Sequence, residues 1–339
     1  MALRIAPWRR RFFGRSPNAR ARAISACVQD HRRNDQDAAR GLLQRAEAAL
    51  ADEMERSLRP GLYLVATPIG NLADISLRAL AVLACADLIA AEDTRHSRKL
   101  LSHFGLKGEL TPYHEHNAAK ERPRLLARIK AGFSVALISD AGTPLISDPG
   151  YKLVQEALEN RLSVVSIPGA SAALAALTSA GLPTDTFLFA GFLPVKSGQR
   201  RKRLEELKTV PATLIFYETA SRLGASLSDM ALVFSAREAV VAKELTKLHE
   251  SVVRGTPAEL ATLTSSATEL KGEFVVLVGP PGPDEGLVGD DAIVASLRQA
   301  LKHESFRDAV RSVAEEFGLK RSRVYELGLV LERESSDRP

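Results

Sequence analysis

The sequence predicts an α/β protein of two lobes with a helical tail, and three observations carry that expectation. Between Gly61 and Ser179 short apolar segments alternate with helical patterns, which implies a mostly parallel sheet covered on both faces. Gly181-Leu182-Pro183 breaks this rhythm, and a second set of strand and helix patterns follows it. Beyond Pro280-Pro281-Gly282-Pro283 the pattern is helical from about Asp290 to Glu334.

In the first lobe the expected strands are Leu62–Ala66, Asp87–Ala91, Leu110–Tyr113, Val135–Ser139 and Leu162–Ile167. Pro68 and Gly70 end the first of them. The intervening helices are expected at Asp74–Leu83, Arg95–Phe104, Ala118–Lys130, Asp148–Asn160 and Ser171–Ser179. The fourth is given Asp148 as its N-cap, with Pro149 in its first turn. In the second lobe the strands are placed at Phe187–Gly191, Thr213–Tyr217, Val240–Glu244 and Glu273–Val278, and the helices at Arg200–Leu207, Ala220–Met230 and Pro257–Thr264. The expected divisions are therefore an N-terminal extension (1–59), a first lobe (60–181), a second lobe (182–282) and a tail (283–339).

A chain of 339 residues is too long for one ordinary domain. Its 45% hydrophobic and 26% charged residues are those of a soluble globular protein. No apolar run approaches the roughly 20 residues of a bilayer span, so no membrane partner is expected. Two cysteines in unrelated contexts, Cys27 and Cys85, make neither a disulfide framework nor a zinc pattern, which fits a reducing cytoplasm. The net charge of +5 permits a nucleic-acid partner without demanding one.

The extension differs from the rest. Arg4, Arg9, Arg10, Arg11, Arg15, Arg20 and Arg22 all precede the first acid, Asp30, and helical text rich in Ala, Arg and Glu runs from about Asp37 to Arg56. A transit peptide, an RNA-binding arm and a dispensable extension or mis-set start all fit this composition.

In an open α/β sheet, ligands bind beyond the carboxyl ends of the strands. There the sequence places Thr67-Pro68-Ile69-Gly70-Asn71-Leu72, Glu92-Asp93-Thr94-Arg95-His96, Asp140-Ala141-Gly142-Thr143-Pro144 and Pro168-Gly169-Ala170-Ser171-Ala172. Small residues at these ends let a ligand reach backbone N–H and C=O groups. Neither phosphate fingerprint, G-x-G-x-x-G or G-x-x-x-x-G-K-[ST], is present. A single such loop is as well explained by an ordinary tight turn. Four together point to a shared pocket.

The first three of these loops, with Asp148-Pro149-Gly150, Gly191-Phe192-Leu193-Pro194, Phe216-Tyr217-Glu218 and Glu244-Leu245-Thr246-Lys247, closely resemble the family of ribosomal RNA small subunit methyltransferase I, of the tetrapyrrole methylase superfamily. The resemblance spans roughly residues 61 to 332. It implies a two-lobed tetrapyrrole-methylase-like fold, with a parallel N-lobe and a mixed-sheet C-lobe. It also implies S-adenosylmethionine bound between the lobes as methyl donor, and 2′-O-methylation of a cytidine ribose in the decoding region of 16S rRNA. Cytoplasmic homodimers acting on the rRNA or the assembled small subunit are the implied setting.

Methyl transfer from a sulfonium is an in-line displacement, so the enzyme mainly aligns donor and acceptor and excludes water. No metal is expected. Cofactor contacts are expected from Pro68, from Asp140, Ala141, Gly142, Thr143 and Pro144, from Pro168, Gly169, Ala170, Ser171 and Ala172, and from Glu218 and Glu244. A 2′-hydroxyl needs a base within hydrogen-bond reach, and Glu92, Asp93 and His96 are the candidates. The same acids would equally serve the dipole of the helix they begin. Arg95 is a candidate phosphate contact, as are Arg200, Arg201, Lys202 and Arg203 and, in the tail, Lys320, Arg321 and Arg323. A charge run is also what an ordinary solvated face looks like. The tail reads as helix, glycine turn and basic helix, either a helix-turn-helix or a plain helical hairpin.

Two alternatives remain at this point. One is a methyltransferase of corrin or sirohaem precursors, whose middle loop usually reads Gly-Asp-Pro where this chain has Asp140 to Pro144. The other is a non-catalytic RNA-binding protein, against which the intact cofactor loops argue. Because the extension is unlike the rest in composition, deleting residues 1–58 is expected to leave folding and methyl transfer intact; a large drop in melting temperature or in activity on assembled subunits would contradict this.

Overall fold

A computed structural model describes residues 38–235, 237–265, 271–282, 290–317 and 321–336. The arginines from Arg4 to Arg22, Pro283 of the second linker and Lys320 lie outside these residues. Among the described residues, no helix is long and apolar enough to cross a membrane.

Contacts divide the chain into two units. Of the described residues, the first comprises 38–65, 75–138 and 152–168, the second 66–74, 139–151 and those from 169 onward. The first contains a helix at 38–55 (α1) and a sheet of β1 (Gly61–Val65), β2 (Leu88–Ala91), β3 (Leu110–Pro112), β4 (Ser134–Ile138) and β5 (Val164–Ile167), in the order β3-β2-β4-β1-β5. Every pairing in it is parallel. β2 and β4 are buried along their whole length, as parallel strands covered on both faces must be, which is why they read as unbroken apolar runs. The crossovers are α2 (Leu77–Cys85), α3 (Thr94–His103), α4 (Ala118–Lys130) and α5 (Tyr151–Glu159). α2 is capped by the Ser76 side chain, which accepts from the Ala79 N–H, and α3 by Asp93, which accepts from the Arg95 N–H.

The expectation for α5 needs correction. The helix begins at Tyr151, so Asp148 is not its N-cap. Ser147 at φ +66° and Gly150 at φ +136° hold the intervening turn out of helical geometry. That frees the Asp148 carboxyl for another role.

The second unit contains α6 (Ala172–Ala180), α7 (Ser197–Leu207), α8 (Ala220–Phe234) and α9 (Pro257–Ser265) with a sheet of β6 (Phe187–Phe192), β7 (Thr213–Thr219), β8 (Ala239–Lys243), β9 (Ser251–Gly255) and β10 (Glu273–Val278), in the order β6-β7-β10-β8-β9. Only β6–β7 is parallel, so the sheet is mixed, as expected. β9 was not legible in the sequence. It is a largely exposed edge strand with a single partner, and such a strand carries no apolar run. α6 starts at its Ser171 cap and stops at Gly181, whose φ of +78° only glycine adopts without strain. The tail forms α10 (Asp290–Ala300), α11 (Phe306–Glu316) and α12 (Arg321–Ser336) around a core of their own, with Ile293, Leu297, Val310, Val313 and Val324 at its centre.

Two side chains revise expectations of function. Arg200 is 4% exposed. Its guanidinium donates to Asp229 at 2.8 Å and to the Val195 carbonyl at 3.0 Å, with Asp229 itself buried. This is an internal tie between α7 and α8, and it is not available to RNA phosphate. Leu58, in the extension as the sequence divided it, packs against the core of the first unit. A truncation that spares folding must therefore stop before it.

Removing one partner of a buried pair leaves a charge without compensation. Arg200→Ala is expected to destabilise the fold by about 3–5 kcal/mol, and Lys202→Ala, on the exposed side of α7, by less than about 0.5 kcal/mol. Equal urea midpoints for the two variants would contradict this.

Candidate functional site

The loop that leaves β1 and the loop that leaves β4 are joined by a reciprocal pair of backbone bonds. The Thr67 N–H donates to the Gly142 carbonyl at 2.9 Å, and the Gly142 N–H donates to the Thr67 carbonyl at 3.0 Å. The Thr67 hydroxyl adds a bond to the Ser139 carbonyl at 3.2 Å, and the Thr143 hydroxyl one to the Ala170 carbonyl, also at 3.2 Å. Thus the segments at 67, 139–143 and 170 are tied to one another by one backbone pair and two threonine hydroxyls.

Beside these ties, wholly within the second unit, lies a cavity of about 310 Å³. Pockets of this size hold small ligands. One side is the 140–148 loop with Ser171 and Ala172. The other is formed by β7, β8 and β10, with Tyr217, Glu218, Ala242 and Val275 on the wall. The loop is unusual in its backbone. Gly142, Leu145, Ser147 and Gly150 all have positive φ, at +80°, +73°, +66° and +136°. Non-glycine residues in that region are strained, and such strain concentrates at binding sites.

The lining has a marked charge pattern. Asp140, Asp148 and Glu273 line the cavity together with Lys247, the lone basic residue among the lining residues, whereas the Glu218 side chain is fully buried and bonded to Ser226 and Arg222 of α8. Lys247 is already committed, with its Nζ 2.9 Å from Glu244 Oε1 and 2.8 Å from Glu273 Oε2. Burial works against the ammonium, but its bonds to Glu273 and Glu244 outweigh it and raise its pKa. Glu244 is held below the usual carboxylate range, first by the bond from Lys247 and then by the Glu273 N–H. A Cβ at Gly70 would lie 2.4 Å from Lys247 Cγ, so a larger residue there would displace this side chain. Asp148 behaves oppositely. Burial pushes its pKa up against a hydrogen bond from Ser139, and nearby Asp140 raises it further. Burial also raises the Tyr217 phenol, which is hydrogen-bonded to the Ala173 backbone and feels the Asp148 charge. Tyr217 meets Phe189 and Phe192 edge to face, with ring centroids 4.8 and 5.6 Å away.

Of the residues expected to contact a cofactor, Asp140, Ala141, Gly142, Thr143, Ser171, Ala172 and Glu218 line the cavity. Pro68, Pro144, Pro168, Gly169, Ala170 and Glu244 do not. Gly169 packs behind the wall, where a Cβ would come within 2.9 Å of the Ala66 side chain, and Glu244 acts on the cavity through Lys247. Glu218 is 2% exposed and accepts from the Ser226 hydroxyl at 2.5 Å. Tyr217, Asp148, Lys247 and Phe192 line the cavity without having been assigned. All four sit inside the quoted motifs. The backbone turns that aim them, the bulge between Phe189 and Gly191 among these, have no sequence period.

The expected catalytic residues Glu92, Asp93 and His96 are in the first unit, where β2 meets α3. The Asp93 carboxylate caps α3, accepting from the Arg95 N–H at 2.8 Å, and lies 3.3 Å from the Arg95 guanidinium. The bonds from the Arg95 side chain, then from its backbone, lower its pKa. That makes it a cap and a poor base. His96 is exposed and Glu92 half-buried. Arg95 is exposed, and of the other basic candidates Arg201, Lys202, Arg203 and Arg321 are on the surface, the last 3.2 Å from Glu315. Arg323 is half-buried.

Residues 61–261 match the family model of Tetrapyrrole (Corrin/Porphyrin) Methylases. A ribosomal RNA small subunit methyltransferase I of Mesorhizobium japonicum is 59% identical over 66% of this chain and 77% of that protein. Those of Pseudomonas aeruginosa and Escherichia coli O157:H7 are 47% and 46% identical over 79% of this chain, and over 96% and 94% of their own lengths. Among solved structures, a diphthine synthase superposes with a TM-score of 0.52 at 17% identity over 64% of this chain and 89% of its own, a likeness of fold.

Gly142 combines a φ of +80° with a cavity position, and a Cβ there would come 3.3 Å from Ile69 Cγ2. Gly142→Val is expected to cost about 1–3 kcal/mol of stability through backbone strain and to fill part of the cavity. A thermal melt with ligand calorimetry checks both, and unchanged ligand affinity would show that the cavity is not the site.

Proposed function

We propose that this chain, which belongs to the family of ribosomal RNA small subunit methyltransferase I within the tetrapyrrole methylases, transfers a methyl group from S-adenosylmethionine to the 2′-oxygen of a cytidine ribose in the decoding region of 16S rRNA. The observation that carries this reading is the cavity beside Gly142. Its excess of carboxylates over cations and its aromatic faces, Tyr217 and Phe192, suit a positively charged organic ligand. The resemblance of the motifs supplies the rest, including the cytidine, its position in the decoding region, a cytoplasmic setting and a homodimer.

When bound, the sulfonium supplies an activated methyl group. The chain's own residues would do three things. Asp140, Gly142 and Ser171 would hold the ligand from the loop side. Ile69, Leu245 and the aromatic residues would exclude water from it. An acidic or imidazole group would take the proton of the acceptor hydroxyl. Glu92, Asp93 and His96 are the candidates that the sequence offers for that role, and the Asp93 carboxylate also caps α3. Exposed Arg95, Arg201, Lys202, Arg203 and Arg321 offer a sequence-independent hold on phosphates, which would make RNA binding salt-sensitive.

In a strain lacking this gene, mass mapping of small-subunit rRNA is expected to show the loss of one ribose methyl from a cytidine. The wild-type gene should restore it and Gly142→Val should not. Calorimetry in chelator is expected to give one S-adenosylmethionine site per chain. Loss of a base methyl, or of none, would refute the proposed acceptor, and metal-dependent binding would refute the proposed site.

A further inference from the structure

The Asp148 carboxyl is in an unusual position for an acidic residue of a helix-preceding turn. It caps nothing, since α5 begins three residues later. The strained turn at Ser147 and Gly150 turns it to the cavity instead, where it is half-buried and hydrogen-bonded to Ser139. The titratable and charged groups around the same cavity are Asp140 from its own loop, Tyr217 and Glu218 from β7, Lys247 after β8 and Glu273 from β10. Lys247 is engaged by Glu244 and Glu273. Glu218 is tied to Ser226, to the Thr219 N–H and, at 3.5 Å, to the Arg222 guanidinium of α8. Tyr217 is hydrogen-bonded to the Ala173 backbone. No cation on the cavity wall is therefore placed to neutralise Asp148 through a bond of its own.

We propose that Asp148 is the specificity-determining carboxylate of the cavity, which favours the cationic sulfonium donor over the neutral thioether product and does so only when ionised. The inference rests on the cofactor reading given above. The physical argument is direct. A carboxylate taken partly out of water and placed beside another acid gains most from a ligand that brings a positive charge. Transfer of the methyl group removes that charge from the ligand. The attraction that holds the donor is then lost for the product, which favours its release.

The sign of the pH dependence follows. In the free protein the Asp148 pKa is raised, by burial first and by Asp140 in addition. A bound cation favours the carboxylate and lowers it again. Binding of the donor then releases a proton at pH below the free pKa, so affinity for the donor falls as pH falls through that pKa and is constant above it. The limiting slope is about tenfold per pH unit for a single linked proton.

Calorimetry on the full chain between neutral pH and the ordinary carboxylate range, with S-adenosylmethionine and S-adenosylhomocysteine as probes, tests this. The two ligands share the same titrating amino-acid portion, so their ratio isolates the sulfonium. S-adenosylmethionine affinity is expected to fall toward the limiting slope, S-adenosylhomocysteine affinity much less, and Asp148→Asn to remove the difference between them. Ser139→Ala removes a bond that favours the carboxylate, so it should move the fall to higher pH, and it serves as the second variant if Asp148→Asn does not fold. Equal slopes for the two ligands, a wild-type slope in Asp148→Asn, or an unmoved midpoint in Ser139→Ala would each overturn the proposal. Absence of S-adenosylmethionine binding at every pH would overturn the cofactor reading and this inference with it, whereas binding without a slope would overturn this inference alone.

Discussion

The backbone pair between Thr67 and Gly142 is the constraint from which the site follows. Two loops that leave parallel neighbours, β1 and β4, would ordinarily splay, because the ladder ends with the strands. Here the antiparallel bridge at 67 and 142 fastens them one step beyond it. Two backbone donors and two acceptors are satisfied where a side chain would otherwise have to do so. The bridge requires a residue at 142 that tolerates a φ of +80° and has no side chain toward Ile69. From that point the loop makes further left-handed turns at Leu145 and Ser147, and those turns set the direction of Asp148.

The opposite wall is fixed by charge. Lys247 lies between Glu244 and Glu273, and the Asn71 N–H is 3.2 Å from the Thr246 hydroxyl. Left-handed backbone at Glu244 and Thr246 accompanies this arrangement, as it does in the 140–148 loop. Ser147 lines the cavity and Glu244 and Thr246 flank Leu245, which also lines it; such torsions cost stability and concentrate at binding sites. The cavity that results holds more negative than positive groups, and its single lysine is compensated twice. A cation is the ligand such a place accepts at least cost.

The basic residues divide differently from how a run of charge suggests. Arg200 and Arg201 are neighbours in sequence, yet α7 turns by about 100° per residue, which buries the first against Asp229 and leaves the second half-exposed. Asp93 makes the same point among the acids. Its place after β2 suggested chemistry, and its geometry is that of a helix cap paired with Arg95.

The sequence by itself determined the elements whose periods are local. Continuous apolar runs marked β2 and β4 because both of their faces are covered, and Ser171 and Gly181 marked the ends of α6 because caps depend on neighbouring backbone alone. The mixed second sheet was legible only through the resemblance of the motifs. The sequence also brought seven of the cavity's residues into view, since small residues at strand ends are conspicuous. Tertiary structure alone decided the rest. β9 exists because β8 offers it an edge. Arg200 is internal because Asp229 lies 29 positions away on another helix. Asp148 became a cavity carboxylate instead of a cap because positive φ at Ser147 and Gly150 delays α5. In each case the deciding partner is distant in sequence or the deciding torsion leaves no period, and neither can be read from a string of residues.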